Sequence, residues 1–106
     1  MTLFQRGLFI DGDFVDARDG ATLDVLNPHD GSLIAVVAEG GEDDVDRAVV
    51  AAKAAFPAWS SVAANERGRI LLRLADIIEA HADELASLES TDTGHPLKDT
   101  TMLDVP

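Results

Sequence analysis

The spacing of apolar residues changes near residue 42, and this change divides the chain into two parts. Before residue 42 the apolar residues form short runs such as Leu8-Phe9-Ile10. After it they recur every three or four residues, which is typical of one face of a helix. The pattern therefore predicts a β-rich part over residues 1–41 and a helical part over residues 42–106.

Turn signals delimit the strands of the first part. Asp11-Gly12 lies between two apolar runs, and because glycine accepts positive φ without steric cost, it predicts a β-hairpin over residues 8–16. Asp19-Gly20 marks a second turn, and Asn27-Pro28-His29-Asp30-Gly31 marks a third. The two further strands are predicted over Thr22 to Leu26 and Leu33 to Ala38.

The first predicted helix runs from Glu42 to Phe56. Its apolar face is formed by residues at helical spacing: Val45, Ala48, Val49, Ala52, Ala55 and Phe56. Acidic residues occupy the first turn, where their negative charge interacts favourably with the positive end of the helix dipole. We expect Pro57 to end this helix, since proline cannot donate the next main-chain hydrogen bond.

Three more helices are predicted downstream. The second runs from Asn65, a plausible N-cap, to His81. The third covers residues 83–93 and ends at Gly94, and the fourth starts at Pro96. The chain then stops at Pro106 within an apolar segment, so we expect this to be the front of a larger fold.

Charge excludes two classes of partner. The chain carries 8 basic and 20 acidic residues, for a net charge of -12, whereas nucleic acids and anionic membranes require a positive surface. The basic cluster Arg67, Arg69 and Arg73 lies beside acidic residues at helical spacing, which predicts an ion-paired helix face. The N-terminus does not resemble a signal peptide, and no apolar run is long enough to cross a membrane, so we expect a soluble intracellular protein.

Few residues of this chain suggest chemistry. It contains no cysteine, which excludes disulfides, thiolate metal sites and a thiol nucleophile within these residues. The three histidines, His29, His81 and His95, lack the spacing of zinc ligands. Gly40-Gly41 precedes a helix, but two glycines predict a turn rather than a dinucleotide-binding loop. The acidic run at residues 42–44 is interpreted as a solvated helix start.

Five ordered segments resemble the N-terminal region of aldehyde dehydrogenases. They are Phe9-Ile10-Asp11-Gly12-Asp13-Phe14, the turn Asn27 to Gly31, the alanine-rich segment Ala48 to Trp59, the segment Glu66 to Glu79, and Leu88-Glu89-Ser90-Thr91-Asp92-Thr93-Gly94-His95-Pro96. Together they span about residues 8–106. One departure is His95, where the family usually has lysine; we interpret it as a surface side chain near a helix end.

The resemblance implies an α/β fold, in which N-terminal strands and then helices form an incomplete, Rossmann-like cofactor-binding domain over residues 1–106. It also implies that the parent protein oxidises an aldehyde to a carboxylic acid with NAD or NADP. In the family this chemistry uses a cysteine nucleophile and a glutamate that activates water. Both residues, and the main cofactor contacts, would lie beyond residue 106, so the catalytic and cofactor-binding sets within this chain are expected to be empty. The parent would be a cytoplasmic homo-oligomer.

The resemblance also implies one partial ligand site. Many family members hold a structural Na⁺ or K⁺, and the matching positions in this chain are the main-chain carbonyls of Val25 and Leu26 and the carboxylate of Asp92. Hard cations prefer such oxygen ligands. An alternative to the enzyme fragment stays open, namely a short non-catalytic remnant or an interaction or oligomerisation module that buries its helix faces against a partner.

Overall fold

A computed structural model describes residues 6–106 and divides them into two compact units. Unit 1 contains the described residues up to Val25 together with Ala35–Val62, and unit 2 contains Leu26–Ile34 together with Ala63–Pro106. Within residues 6–106, the strands end by Ala38 and the helices begin at or after Glu42. The predicted order of strands followed by helices is therefore confirmed.

Unit 1 begins with the predicted β-hairpin. Strands β1 (Leu8–Ile10) and β2 (Asp13–Val15) pair antiparallel, with Phe9 opposite Phe14. The turn residues Asp11 and Gly12 both have positive φ, 54° and 85°, which is the geometry that suits a two-residue hairpin loop. The rings of Phe9 and Phe14 lie 5.0 Å apart, within the range of favourable aromatic pairs.

Strands β3 (Thr22–Leu26) and β4 (Leu33–Ala38) form where the sequence predicts them, and they pair with each other in a second two-stranded sheet. The turn between them is held by its own polar groups. The Asn27 N–H donates to the Ser32 carbonyl at 2.8 Å, and the Gly31 N–H donates to the Asn27 carbonyl at 2.8 Å. The His29 N–H donates to Asn27 Oδ1 at 2.9 Å, so the histidine of this turn contributes through its main chain.

Helix α1 spans Glu42–Ser61, so the prediction that Pro57 ends it is wrong. Proline at position 57 removes the bond that its own N–H would have donated to the Lys53 carbonyl and brings its ring close to that carbonyl, but its fixed φ is compatible with a helix. The chain therefore continues for one more turn. The hydroxyl of Ser61 donates to the Pro57 carbonyl at 2.7 Å, and the Val62 N–H donates to the Trp59 carbonyl at 3.2 Å at the end of the helix.

Unit 2 contains helices α2 (Ala64–Ala80) and α3 (Ala82–Thr93). The prediction of Asn65 as N-cap is wrong, because the capping position is Ala63, whose carbonyl already accepts the N–H groups of Glu66 and Arg67 at 3.0 Å each. Asn65 lies within the first turn, and its Oδ1 accepts the Glu66 N–H at 3.0 Å. The predicted ion pairing of this helix is confirmed for Arg69 and Glu66.

Gly94 ends α3 in the left-handed conformation, with φ 76°, as the sequence predicts. The predicted fourth helix is short: α4 spans Leu97–Asp99, with Pro96 just before it, and continues as a π-helical segment, Thr100–Asp104. Thr100 is fully buried, and its hydroxyl donates to the Leu97 carbonyl at 3.0 Å.

The buried apolar residues among those described are small. They are Ala17, Ala35 and Ala86. Helix α2 contains no buried residue at all, and its apolar face is exposed. No helix within residues 6–106 is both long and apolar enough to cross a membrane.

Candidate functional site

The most highly connected side chain of unit 1 is the carboxylate of Asp44. It is 3% exposed and lies in the first turn of α1. It accepts the Gly41 N–H at 3.0 Å and the Arg18 N–H at 3.1 Å, and it pairs with the Arg47 guanidinium. The hydrogen bond from Gly41, followed by that from Arg47, lowers the pKa of Asp44 below its ordinary value. Asp44 therefore joins the start of α1 to the loop after β2.

This arrangement changes the interpretation of the acidic run at residues 42–44. The sequence pattern predicts a solvated helix start, whereas Asp44 is buried and hydrogen-bonded and only Glu42 and Asp43 are exposed. The sequence does carry a signal for the cap, since an acid three residues after Gly41 can reach back to its N–H. Because the Gly41 N–H is used in this way, it already has an acceptor within the chain.

An open groove of unit 1 lies between the first hairpin and α1. It is lined by carboxylates from both elements and by two arginines, with the charged residues Asp11, Asp13, Asp43, Asp46, Arg18 and Arg47. Arg18 and Asp43 approach to 3.9 Å, and both side chains are largely exposed. Among the described residues, no group of three or more histidine, aspartate or glutamate side chains has the geometry of a metal site.

The candidate cation ligands lie at the ends of two elements. Val25 and Leu26 are the last residues of β3, and Asp92 is the penultimate residue of α3, with an exposed side chain. Within unit 2, the turn after Leu26 meets the end of α3, because a Cβ added at Gly94 would lie 3.1 Å from Cγ of Pro28. Leu26 is thus two residues before Pro28, and Asp92 is two residues before Gly94, the two residues that approach closely.

The ring of His95 is not a free surface group. Its Nδ1 lies 2.7 Å from Oδ2 of Asp104, at the end of the π-helical segment. The main chain of His95 is also fixed: its N–H donates to Thr93 Oγ1 at 3.2 Å, and its carbonyl accepts the Ser90 hydroxyl at 2.7 Å. The bond to Asp104, then its negative charge, raises the pKa of His95, with smaller contributions from Asp99 and Glu89. No motif in the sequence points to Asp104 as its partner.

The other histidines have local contacts. His81 follows α2, and its Nδ1 lies 2.8 Å from the Ile77 carbonyl. His29 lies in the turn between β3 and β4. His29, His81 and His95 therefore lie at three separate turns or helix ends.

Comparison with known proteins decides the family. The sequence model described as "Aldehyde dehydrogenase family" matches residues 14–106, which is most of the chain. The chain belongs to the aldehyde dehydrogenase family. This confirms the resemblance on the five ordered segments and the α/β arrangement of strands followed by helices.

Individual aldehyde dehydrogenases match nearly all of the chain. "Aldehyde dehydrogenase family 2 member B4, mitochondrial" of Arabidopsis thaliana is 46% identical over 101 residues, covering 93% of this chain and 19% of its own length. The crystal structure of PnpE in complex with nicotinamide adenine dinucleotide is 60% identical, with a TM-score of 0.94 over 97% of this chain and 21% of PnpE; PnpE comes from Pseudomonas sp. WBC-3.

A putative aldehyde dehydrogenase from Burkholderia cenocepacia is 64% identical, with a TM-score of 0.94 over 96% of this chain and 21% of its own. The chain thus spans about a fifth of the length of the aldehyde dehydrogenases that it matches. Its strands, turns and helices are those of the family, while most of the residues of the family fold lie outside these 106 residues.

Proposed function

We propose that these residues form the N-terminal part of the cofactor-binding domain of an enzyme that oxidises an aldehyde to a carboxylic acid with NAD or NADP. The observation that carries the proposal is the TM-score of 0.94 to PnpE over 97% of this chain at 60% identity, since PnpE was solved with nicotinamide adenine dinucleotide. The bound nicotinamide would accept the hydride from the substrate.

Residues 6–106 would support this chemistry without performing it. The chain has no cysteine, so the thiolate nucleophile of such an enzyme would come from another part of the polypeptide. The contribution that we propose for this part is structural: the Asp44 cluster fixes the start of α1, and the contact between Pro28 and Gly94 fixes the end of α3 against the β3–β4 turn.

The experiment that tests this proposal compares two proteins. The polypeptide encoded by the whole gene is mixed with NAD or NADP and a panel of aliphatic and aromatic aldehydes, and the absorbance of reduced nicotinamide is followed. We expect turnover with at least one aldehyde, and none with the 106-residue chain alone. Turnover by the short chain, or none by the long one, would contradict the proposal.

We also propose that Na⁺ or K⁺ binds to the carbonyls of Val25 and Leu26 and to the carboxylate of Asp92. The oxygen-only ligand set suits a hard monovalent cation. The contact of Pro28 with Gly94, 3.1 Å from the added Cβ, supports the placement of Leu26 and Asp92 near each other. The test measures the melting temperature of the whole enzyme in NaCl, KCl and N-methylglucamine chloride.

Asp92→Asn should weaken the dependence of that melting temperature on Na⁺ or K⁺. The matched control is Asp83→Asn, which removes the same charge from the exposed first turn of the same helix. Equal salt dependence in the two variants would contradict the proposed role of Asp92.

The assembly and the compartment of the whole enzyme are further proposals. We propose a cytoplasmic homo-oligomer; the resemblance to the family supports the assembly, whereas the Arabidopsis relative carries a mitochondrial name. Light scattering on the purified whole enzyme tests the first point, and cell fractionation tests the second. A monomer, or recovery in an organelle fraction, would contradict them.

A further inference from the structure

Three aspartate-glycine pairs lie in exposed turns, and their hydrogen bonds differ. They are Asp11-Gly12, Asp19-Gly20 and Asp30-Gly31. An aspartate before glycine is prone to modify itself, because glycine has no side chain to hinder the attack of its main-chain nitrogen on the aspartate carboxyl. A Cβ built at any of the three glycines would have no heavy atom within 4 Å. Crowding therefore does not distinguish the three pairs.

The reaction at such a pair is a loss of water followed by its return. The glycine nitrogen gives up its proton and forms a bond to Cγ of the aspartate, while the bond from Cγ to the carboxyl –OH breaks. Water leaves, and a cyclic succinimide remains. Water then opens the ring at one of its two carbonyls, which gives either aspartate or isoaspartate. The product has the same mass as the starting protein, since one water leaves and one returns.

Both reacting groups of Asp19-Gly20 are held by hydrogen bonds. Oδ1 of Asp19 accepts the N–H of Ala21 at 2.9 Å, which is the arrangement of an Asx-turn. The N–H of Gly20, which must lose its proton, donates to the Ala17 carbonyl at 2.8 Å. Ring closure at this pair therefore requires both bonds to break.

The pair Asp30-Gly31 is held in the same way. Oδ1 of Asp30 accepts the N–H of Ser32 at 2.9 Å and its hydroxyl at 2.6 Å, and the Gly31 N–H donates to the Asn27 carbonyl at 2.8 Å. The bond from the Ser32 hydroxyl, followed by that from its N–H, lowers the pKa of Asp30. The carboxyl therefore stays ionised to a lower pH, and an ionised carboxyl releases its oxygen less readily than the acid.

Neither reacting group of Asp11-Gly12 is held within residues 6–106. The carboxylate of Asp11 and the N–H of Gly12 have no hydrogen bond to a residue of this part of the chain. Asp11 also has φ 54°, which is less favourable for aspartate than for glycine. Strands β1 and β2 have three residues each, and a two-stranded hairpin of this size is only marginally stable in water. The turn therefore opens at low cost.

We propose that Asp11-Gly12 is a site of spontaneous isomerisation to isoaspartate, in preference to the other two pairs. Isoaspartate adds one carbon to the main chain of a two-residue loop. The pairing of Phe9 with Phe14 depends on the length of that loop, so the modified hairpin loses its register. The partner class for the new carboxylate is a protein L-isoaspartyl methyltransferase, which methylates it with S-adenosylmethionine. The site does not depend on any turnover of aldehyde.

Ageing of the polypeptide encoded by the whole gene, in neutral buffer, tests this site. Samples taken over time are digested and methylated by a protein L-isoaspartyl methyltransferase with radiolabelled S-adenosylmethionine, and the peptides that contain the three pairs are separated and counted. Because two hydrogen bonds hold each of the other pairs, we expect isoaspartate to form about tenfold faster at Asp11 than at Asp19 or Asp30. No isoaspartate at Asp11, or an equal or higher rate at another pair, would overturn the proposal.

Ageing of the same polypeptide in urea separates the effect of the fold from that of the flanking sequence. All three pairs have glycine as the attacking residue, so the tenfold difference should disappear once the hydrogen bonds are lost. A difference of the same size in urea would overturn the structural assignment. Ser32→Ala provides a second measurement in the folded protein: it removes the hydroxyl bond to Asp30 and should raise the rate there by about threefold, with the rate at Asp11 unchanged. An unchanged rate at Asp30 would show that these bonds do not protect, and would contradict the proposal.

Discussion

Substitution of Gly94 by alanine tests the close contact that joins the end of α3 to the β3–β4 turn. Gly94 has φ 76°, and an added Cβ would lie 3.1 Å from Cγ and 3.6 Å from Cβ of Pro28. Gly31 offers a matched control, because its φ is 74° and a Cβ there would have no neighbour within 4 Å. Both variants carry the same conformational cost, and only Gly94→Ala adds a steric one.

The expected losses of stability follow from the conformational cost and the steric cost. A left-handed alanine costs about 1–2 kcal/mol, and the smaller entropy of the unfolded alanine chain offsets about 0.4–1 kcal/mol of it. We therefore expect Gly31→Ala to lower the free energy of unfolding by about 1 kcal/mol. For Gly94→Ala we expect about 1 kcal/mol more, the low end of the range for overpacking, because Pro28 is exposed and its ring can shift.

Urea unfolding of the 106-residue chain, followed by circular dichroism, measures both values, and the slope of each transition checks that the unfolded state is unchanged. Pro28→Ala in the Gly94→Ala background should recover most of the extra loss, since it removes the Cγ atom. If Gly94→Ala destabilises the chain no more than Gly31→Ala, the turn does not meet α3 as described, and the proposed proximity of Leu26 and Asp92 loses its support.

Three further predictions concern single interactions. Asp44→Asn should destabilise the start of α1 at pH values above the ordinary pKa of aspartate. Because the folded state lowers the pKa of Asp44, the contribution of its carboxylate to stability is present at neutral pH and is lost as the pH falls through that lowered pKa. Acid unfolding of the wild type and of Asp44→Asn measures this, with Asp46→Asn as the exposed control. His95 has a raised pKa, so its bond to Asp104 should stabilise unit 2 below the ordinary histidine pKa and lose this effect as the pH rises through the raised value. An NMR titration of the His95 ring should show the raised pKa, and Asp104→Asn should remove most of the shift, because the smaller contributions of Asp99 and Glu89 stay. Pro57→Ala should stabilise α1 by up to about 3 kcal/mol, because it restores the bond to the Lys53 carbonyl and removes the ring from that carbonyl. A lower melting temperature of the variant in thermal unfolding would contradict this.

Local signals predicted most of the elements. The first hairpin, the strands from Thr22 to Leu26 and from Leu33 to Ala38 and the end of α3 depend on residues adjacent in sequence, such as Asp11-Gly12 and Gly94, and the structure has them where the pattern places them. The two wrong boundaries have the same origin. A cap residue contributes about 1 kcal/mol and an interior proline costs about 3 kcal/mol or more. Tertiary context routinely overrides such local preferences, and the ends of α1 and α2 have hydrogen bonds at Ser61 and Ala63 instead.

The side-chain clusters could not be predicted in the same way. Asp44 accepts the N–H of a residue 26 positions earlier, and His95 meets a carboxylate 9 positions later, across a π-helical segment. No spacing rule links such pairs, because their separation depends on how the intervening loops fold. The same limit applies to Val25, Leu26 and Asp92, for which the resemblance rather than the residue pattern suggested a common ligand.

The apolar periodicity of α2 shows what a sequence pattern does report. The positions of Ile70, Leu74 and Ile77 form an apolar stripe at helical spacing, and the three side chains are about half exposed in the structure. The helix itself is present, so the period is right, and only the burial is missing. Burial depends on which residues pack against the face, and the period of one helix carries no information about them. The pattern thus predicts the helix, whereas its burial within the described residues does not follow from the period alone.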